Sequence, residues 1–328
     1  MQLITLTDIE QAQQRVRSLA RHTPLLPMML PELGPEQVYL KPENLQPIGS
    51  FKIRGAGNRL MALTAEERAR GVLAYSSGNH AQGVAYAARQ LSIRATIIMP
   101  TNAPRVKIEN TRALGAEVVL YDPAHEKREV IAAQLLAGYA EPPVLVPPFD
   151  DAHVIAGQGT VGLEIFADLP AVELVLAPVG GGGLLSGVAA VLKALKPSVK
   201  VVGVEPELAA DAQESLRAGR IIAWTAAQTS RTLADGVRTL AVSELTFAHL
   251  RQYADDIVTV SEAELRAAAR RFLLEARLVV EPTAALTLAA LLRHRATLPP
   301  SQHTVLIISG GNADPATLTE LLHPQEAV

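Results

Sequence analysis

The sequence predicts an α/β protein made of two open parallel sheets, each with helices on both faces. Three observations predict it. Short β-branched runs alternate with longer helical patterns through almost the whole chain. Polar and glycine clusters ("SSGNH", "GGGG", "EPE", "SGGN") follow the strand-like runs, at the strand ends where such sheets gather ligands. A proline-rich connection, "EPPVLVPPFDD", leaves a self-contained set of βα units. The expected organisation is therefore a large domain from residues 1–68 and 149–328, with a small, mobile domain, 69–148, inserted into it.

In chain order, "MQLITLTDIEQAQQRVRSLA" opens an amphipathic helix, with Thr7 and Glu10 at capping-box spacing. "QPIGSFKIRG" reads as helix onset and places Lys52 between Phe51 and Ile53. Strand runs then follow at 72–77, 95–100 and 116–121, each leading into a helical pattern. The same alternation resumes with strands at 173–179 and 199–206, and "HTVLIISGG" (303–311) closes the series.

Composition narrows the function classes. The 328 residues carry a net charge of −3, which gives no electrostatic case for nucleic acid or an anionic membrane. Aromatics are only 4%, too few for stacking platforms on single-stranded nucleic acid. There is no cysteine, so disulfides, thiolate metal sites and cysteine nucleophiles are excluded together. The amino terminus lacks a signal-peptide pattern, and "VELVLAPVGGGGLLSGVAAVL" is broken by Glu173, Pro178 and four glycines. A soluble, cytoplasmic protein is expected.

"PVGGGGLLSG" places Gly180, Gly181, Gly182 and Gly183 between an apolar strand and a helix starting near Leu184. Backbone amides can converge on an anion where no side chain blocks approach, and a helix amino terminus adds a favourable dipole. A tight turn with close strand–helix packing is the bland reading; a phosphate is the natural guest. The loop can be forced onto a dinucleotide template, with Glu205 ending the next strand, so an NAD-dependent oxidoreductase is a rival. That rival leaves Lys52 and "SSGNH" unexplained. A lysine in apolar surroundings beside a phosphate cradle suits pyridoxal phosphate, because a desolvated amine loses its proton readily.

"SFKIRGA", "SSGNHAQGVAYAA", "AGQGTVGLEI", "PVGGGGLLSG", "VEPE", "EPTAA" and "SGGN" occur together and in this order. The chain thereby resembles the serine/threonine dehydratase and serine racemase family, fold-type-II pyridoxal-phosphate enzymes with a tryptophan-synthase-β-like fold. The resemblance runs from Thr7 to Asn312 and implies a cofactor in the cleft between the two domains. It implies that Lys52 joins the cofactor covalently and removes the substrate Cα proton, with Phe51 against the pyridine ring and Asn79 at the ring hydroxyl. Gly180 to Gly183 and Leu184 would present amides to the phosphate, and Ser309 would face the ring nitrogen. Ser76, Ser77, Asn79 and His80 would grip the substrate carboxylate; by residue type alone the same run is an ordinary helix cap. Ser77 would also be the second acid/base of a racemase. Arg128 matches a position that reaches substrate in the closed form, against the alternative of a solvated helix-face arginine.

The resemblance further implies a divalent cation, Mg²⁺ or else Ca²⁺ or Mn²⁺, at Glu205, Ala209 and Asp211. The spacing alone favours the plainer reading, an acidic helix start stabilised by its dipole. The implied activity is an ammonia-lyase converting L-threonine or L-serine to a 2-oxo acid and ammonia. Serine racemisation and threo-3-hydroxyaspartate dehydration are alternatives on the same residues, and a non-catalytic amino-acid sensor is the alternative outside enzymes. A homodimer is expected from the resemblance.

Overall fold

The computed structural model describes residues 2–76, 78–103 and 105–322; Ser77, a predicted site residue, lies outside them. The strands are β1 (Leu26–Met28), β2 (Gln37–Pro42), β3 (Val72–Tyr75), β4 (Ala95–Pro100), β5 (Glu117–Tyr121), β6 (Val144–Leu145), β7 (Leu174–Pro178), β8 (Lys200–Pro206), β9 (Asp256–Val260) and β10 (His303–Ile308). Among the described residues they form two sheets, ordered β1-β2-β10-β7-β8-β9 and β5-β4-β3-β6. Only β1 runs antiparallel to its neighbour. The last strand in sequence, β10, lies between β2 and β7, so both ends of the chain meet in the middle of the larger sheet.

Period-two patterning explains why the larger sheet is covered on both faces. Val175, Ala177, Val201, Val305 and Ile307 point into one apolar core. Leu174, Leu176, Val202, Val204, Leu306 and Ile308 point into another on the opposite face. Each fully buried leucine or valine contributes about 1.5–3 kcal/mol of apolar burial. The smaller sheet has one substantial core, in which Val72, Ala74, Ile97 and Met99 pack. Its other face buries only Leu73, Ile98 and Ala132 completely.

The helix Lys52–Met61 serves both units. Ile53, Ala56 and Leu60 belong to the smaller sheet's core, while its backbone lies against the helix Ala152–Asp168 of the larger unit. A Cβ on Gly157 would sit 2.5 Å from the Arg54 carbonyl oxygen, so only glycine permits that approach.

Several boundaries differ from expectation. The first helix, Leu6–Val16, starts earlier: Thr5 and Asp8, not Thr7 and Glu10, form the capping box. The strands expected at 72–77 and 303–311 end at Tyr75 and Ile308, where the chain turns into polar loops. The sequence reading passed over β1, β2, β6 and β9. β6 has two residues, and β2 carries Lys41, whose charge masks a buried strand. Among the described residues no helix is long and apolar enough to cross a membrane.

Candidate active site

A cavity of ≈ 400 Å³ lies at the carboxyl ends of β3, β4, β7 and β10, between the two sheets. Its lining includes Phe51, Lys52, Ser76, Asn79, His80, Arg128, Gly180 to Gly183, Leu184 and Ser309. Residues from opposite ends of the chain, Phe51 and Ser309 among them, thus share one enclosed space.

Lys52 opens its helix, and its Nζ donates to the Pro148 carbonyl at 2.9 Å. The ammonium also sits 5.2 Å from the centroid of the Phe51 ring. Burial pushes the Lys52 pKa down to about 8, against the opposing charge of Glu281. At pH 7 about a tenth of this amine is therefore unprotonated and nucleophilic, far more than of a surface lysine.

Opposite stands the glycine turn between β7 and the helix Gly183–Leu195. Gly182 has φ +86°, which disfavours any side chain. A Cβ on Gly181 would fall 2.2 Å from the Phe149 ring. The turn therefore presents bare backbone at a helix amino terminus, where unpaired amides and the dipole favour an anion. Beyond β10, Ser309 is 2% exposed and its Oγ has no hydrogen-bond partner. A buried hydroxyl aimed at a cavity without a partner is costly unless a ligand atom completes it.

The loop after β3 brings Ser76, Asn79 and His80 to the cavity wall. Ser76 Oγ accepts from the Gly78 amide at 3.2 Å, and Asn79 begins the helix Asn79–Gln90. The His80 ring is buried, with Nε2 bound to the Val146 carbonyl at 2.9 Å. Burial and the nearby Lys52 charge push its pKa down to about 3. It is neutral, Nε2 carries the proton, and Nδ1 is a free acceptor. Such a ring accepts at Nδ1, so what His80 would offer a carboxylate is its backbone amide in the first turn of the helix. The unpaired amides of this helix's first turn remain the donors suited to it.

Glu281 is a wall residue that the sequence reading did not single out. It stands directly before the helix Pro282–Arg293, is 2% exposed, and both its oxygens accept from Asn79 Nδ2 at 2.9 Å. Asn312 Nδ2 donates to the Asn79 side-chain carbonyl at 2.8 Å. Burial, with the Asp235 charge beside it, pushes Glu281 up to about 7. An acid directly before proline at the end of the apolar run "RLVVEP" was the available signal. Lys107 was also missed; its Nζ meets Asp235 Oδ2 at 2.5 Å and links the two units across the cavity. Arg128 lies at the rim, its guanidinium 5.0 Å from the Tyr75 ring and bonded to Glu129 at 2.8 Å.

Glu205, Ala209 and Asp211 are all fully buried and lie outside this cavity. Glu205 accepts from the amides of Ala212 (3.1 Å) and Gln213 (2.8 Å). Neither carboxylate oxygen of Asp211 has a hydrogen-bond partner. Burial raises both pKa values, Glu205 further through the Asp211 charge, and Asp211 reaches about 7. Two buried acids side by side, one of them orphaned at both oxygens, form a hard-oxygen donor set that is electrostatically incomplete. Among the described residues no third acid or imidazole joins them.

Comparison with known proteins answers the choice that the glycine loop left open. The family described as "Pyridoxal-phosphate dependent enzyme" matches residues 16–310. The L-threo-3-hydroxyaspartate ammonia-lyase of Saccharomyces cerevisiae is 42% identical, covering 98% of this chain and 97% of that protein. The crystal structure of the T.th. threonine deaminase is 48% identical with a TM-score of 0.88, covering 95% and 99% of the two chains. The structure of maize serine racemase superposes with a TM-score of 0.91 at 34% identity, covering 97% of each. With a family match across most of the chain, the desolvated lysine, the bare glycine turn and the orphaned serine have one common explanation: the chain belongs to the fold-type-II pyridoxal-phosphate dependent enzymes.

Proposed function

We propose that this protein is an ammonia-lyase that converts small β-hydroxy amino acids, L-threonine and L-serine, to a 2-oxo acid and ammonia. The observation that carries the reading is Lys52, an amine with its pKa lowered to about 8, inside one cavity with a glycine turn and the unpartnered Ser309 hydroxyl. Pyridoxal phosphate, when bound, supplies the electron sink that acidifies the substrate Cα–H. Lys52 would hold it covalently, the amides of Gly180 to Leu184 its phosphate, Phe51 its ring face, Asn79 its ring hydroxyl and Ser309 its ring nitrogen. Once the substrate amine has taken its place, Lys52 would accept the Cα proton and pass it to the departing β-hydroxyl, which leaves as water. Hydrolysis of the released enamine consumes one water and gives the 2-oxo acid and ammonia. Ser76 and the first-turn amides of the helix Asn79–Gln90 orient the substrate carboxylate.

Two residues bear on substrate and stereochemistry. Arg128 at the rim supports a second reading, a threo-3-hydroxyaspartate ammonia-lyase, because a guanidinium there pairs with a distal carboxylate. The full-length likeness to the yeast enzyme supports the same reading. Ser77 would return a proton on the face opposite Lys52, giving racemisation alongside elimination. We further propose a divalent cation, Mg²⁺ or Ca²⁺ or Mn²⁺, on Glu205, Asp211 and the Ala209 carbonyl, with water completing its shell. A homodimer is the assembly we propose, and exposed apolar side chains such as Leu45 and Val279 would supply surface for a second copy to cover.

The test incubates the purified protein, pyridoxal phosphate and Mg²⁺ with L-serine, D-serine, L-threonine and both threo-3-hydroxyaspartates. Oxo acid, ammonia and amino-acid chirality are read from the same tubes. Oxo acid from threonine or serine is expected, and Lys52→Ala should lower turnover by more than about 10³-fold. Oxo acid from hydroxyaspartate alone selects the second reading. Release of no oxo acid from any substrate rejects the lyase.

A further inference from the structure

Directly beneath Lys52 lies a group of buried charges that the proposed chemistry does not use. Arg54 follows Lys52 by two residues, and two helical steps of about 100° send its side chain to the opposite face. Arg54 is 1% exposed. Its Nε and Nη2 donate to Glu43 at 2.7 and 2.8 Å; its Nη1 and Nη2 donate to Glu164 at 2.7 and 2.8 Å. Nη1 also reaches Thr160 Oγ1, and Nη2 the Arg21 carbonyl, both at 3.1 Å. Lys41 Nζ completes the group, 2.6 Å from Glu164. Two cations and two anions are thus buried together, each engaged by more than one partner.

Such a group is weak evidence for stability, because desolvating four charges consumes most of their attraction. What it fixes is position. Two carboxylates grip one planar fork in directions that an apolar contact would not specify. Glu43 lies just past β2, and Glu164 lies on the helix Ala152–Asp168. The same pair of helices is held by Gly55 N donating to Gln158 Oε1 (3.1 Å) and Asn58 Nδ2 donating to the His153 carbonyl (2.7 Å). Just before the second helix stand Pro148, which accepts from Lys52 Nζ, and Phe149, which packs on the glycine turn. The register of the two helices therefore sets where the amine stands relative to the turn.

We infer that Arg54 is a positioning residue for Lys52: its fork to Glu43 and Glu164 fixes the helix Lys52–Met61 so that the lysine amine faces the glycine turn. The inference rests on the reading of Lys52 as the cofactor's attachment point.

Arg54→Lys and Arg54→Met are compared with the parent, each as full-length apoprotein and cofactor-loaded protein. Thermal midpoint, the pH dependence of the bound cofactor's visible absorbance, kcat and KM are measured, and the Lys52 Nζ–Pro148 O distance is read from crystals of the apo variants. In Arg54→Met we expect a cooperative melt, a kcat lower by about 10²-fold, KM changed by less than about threefold, and a displaced absorbance titration. Arg54→Lys keeps the charge without the fork, and should recover part of kcat. If Arg54→Met does not fold, Arg54→Lys decides by the same titration and distance. A lowered melt with unchanged kcat, titration and Nζ position overturns the inference and leaves Arg54 a structural residue. Absence of cofactor absorbance at the parent's Lys52 would instead reject the reading on which it rests.

Discussion

Two of the buried charge groups among the described residues, both outside the cavity, are built to opposite ends. The group under Lys52 pairs Lys41 and Arg54 with Glu43 and Glu164, and the cluster carries no net charge. The other group is two acids, Glu205 and Asp211, equally buried, with Asp211 unpartnered at both oxygens. The first is complete within the chain, so its job is structural and positional. The second has no cation beside it among the described residues, which is the arrangement the proposed divalent cation would need. Burial by itself did not distinguish them; satisfaction of each polar atom did.

Breaking the completed group should have the largest effect. Glu164→Ala leaves Arg54 and Lys41 with one acid between them, and should cost about 3–5 kcal/mol in urea unfolding at pH 7. A loss below about 1 kcal/mol would mean that water enters and relieves the charge.

The incomplete group should respond in the opposite sense. Asp211 has its pKa raised from the ordinary carboxylate range to about 7 in the folded state. Folding therefore favours its proton, and this contribution is fully present below pH 3.8 and lost as pH rises through 7. In chelator at pH 8, Asp211→Asn should be more stable than the parent by roughly 1–3 kcal/mol, and the difference should vanish below about pH 4. Excess Mg²⁺ should reverse the order at pH 8 by stabilising the parent alone. Melting curves with and without Mg²⁺ that fail to cross would remove the cation from this site.

The smallest effect tests the unpartnered hydroxyl of the cavity. Ser309→Ala should leave the apoprotein as stable or stabilise it by up to about 1 kcal/mol, since an unpartnered buried hydroxyl goes and no hydrogen bond is lost. It should weaken pyridoxal-phosphate binding by about five- to tenfold in a fluorescence titration. Unchanged affinity would withdraw Ser309 from the ring nitrogen.

Legibility in the sequence followed how local each feature is. Strands β3, β4, β5, β7, β8 and β10 were readable because an apolar run flanked by turn residues is a contiguous signal. Lys52 and the four glycines were found from their local surroundings, whereas Ser309 came from the family resemblance alone. Lys41 and Glu164 were not, because a charged residue in a buried strand or helix looks solvated until its partner is known. Glu281 was quoted only as part of "EPTAA", and nothing nearby announces its bond to Asn79.

By itself, the sequence determined the alternation of strands and helices, the bare turn at Gly180–Gly183 and the lysine in an apolar run. Periodicity and local backbone chemistry act over a few residues and need no partner. Only the tertiary structure decided that Glu281 holds Asn79, that Lys107 meets Asp235, and that Arg54 is locked by Glu43 and Glu164. Those pairs are separated by up to 202 residues. They meet because β10 returns between β2 and β7, and because burial leaves each charge no cheaper partner than the one the fold supplies.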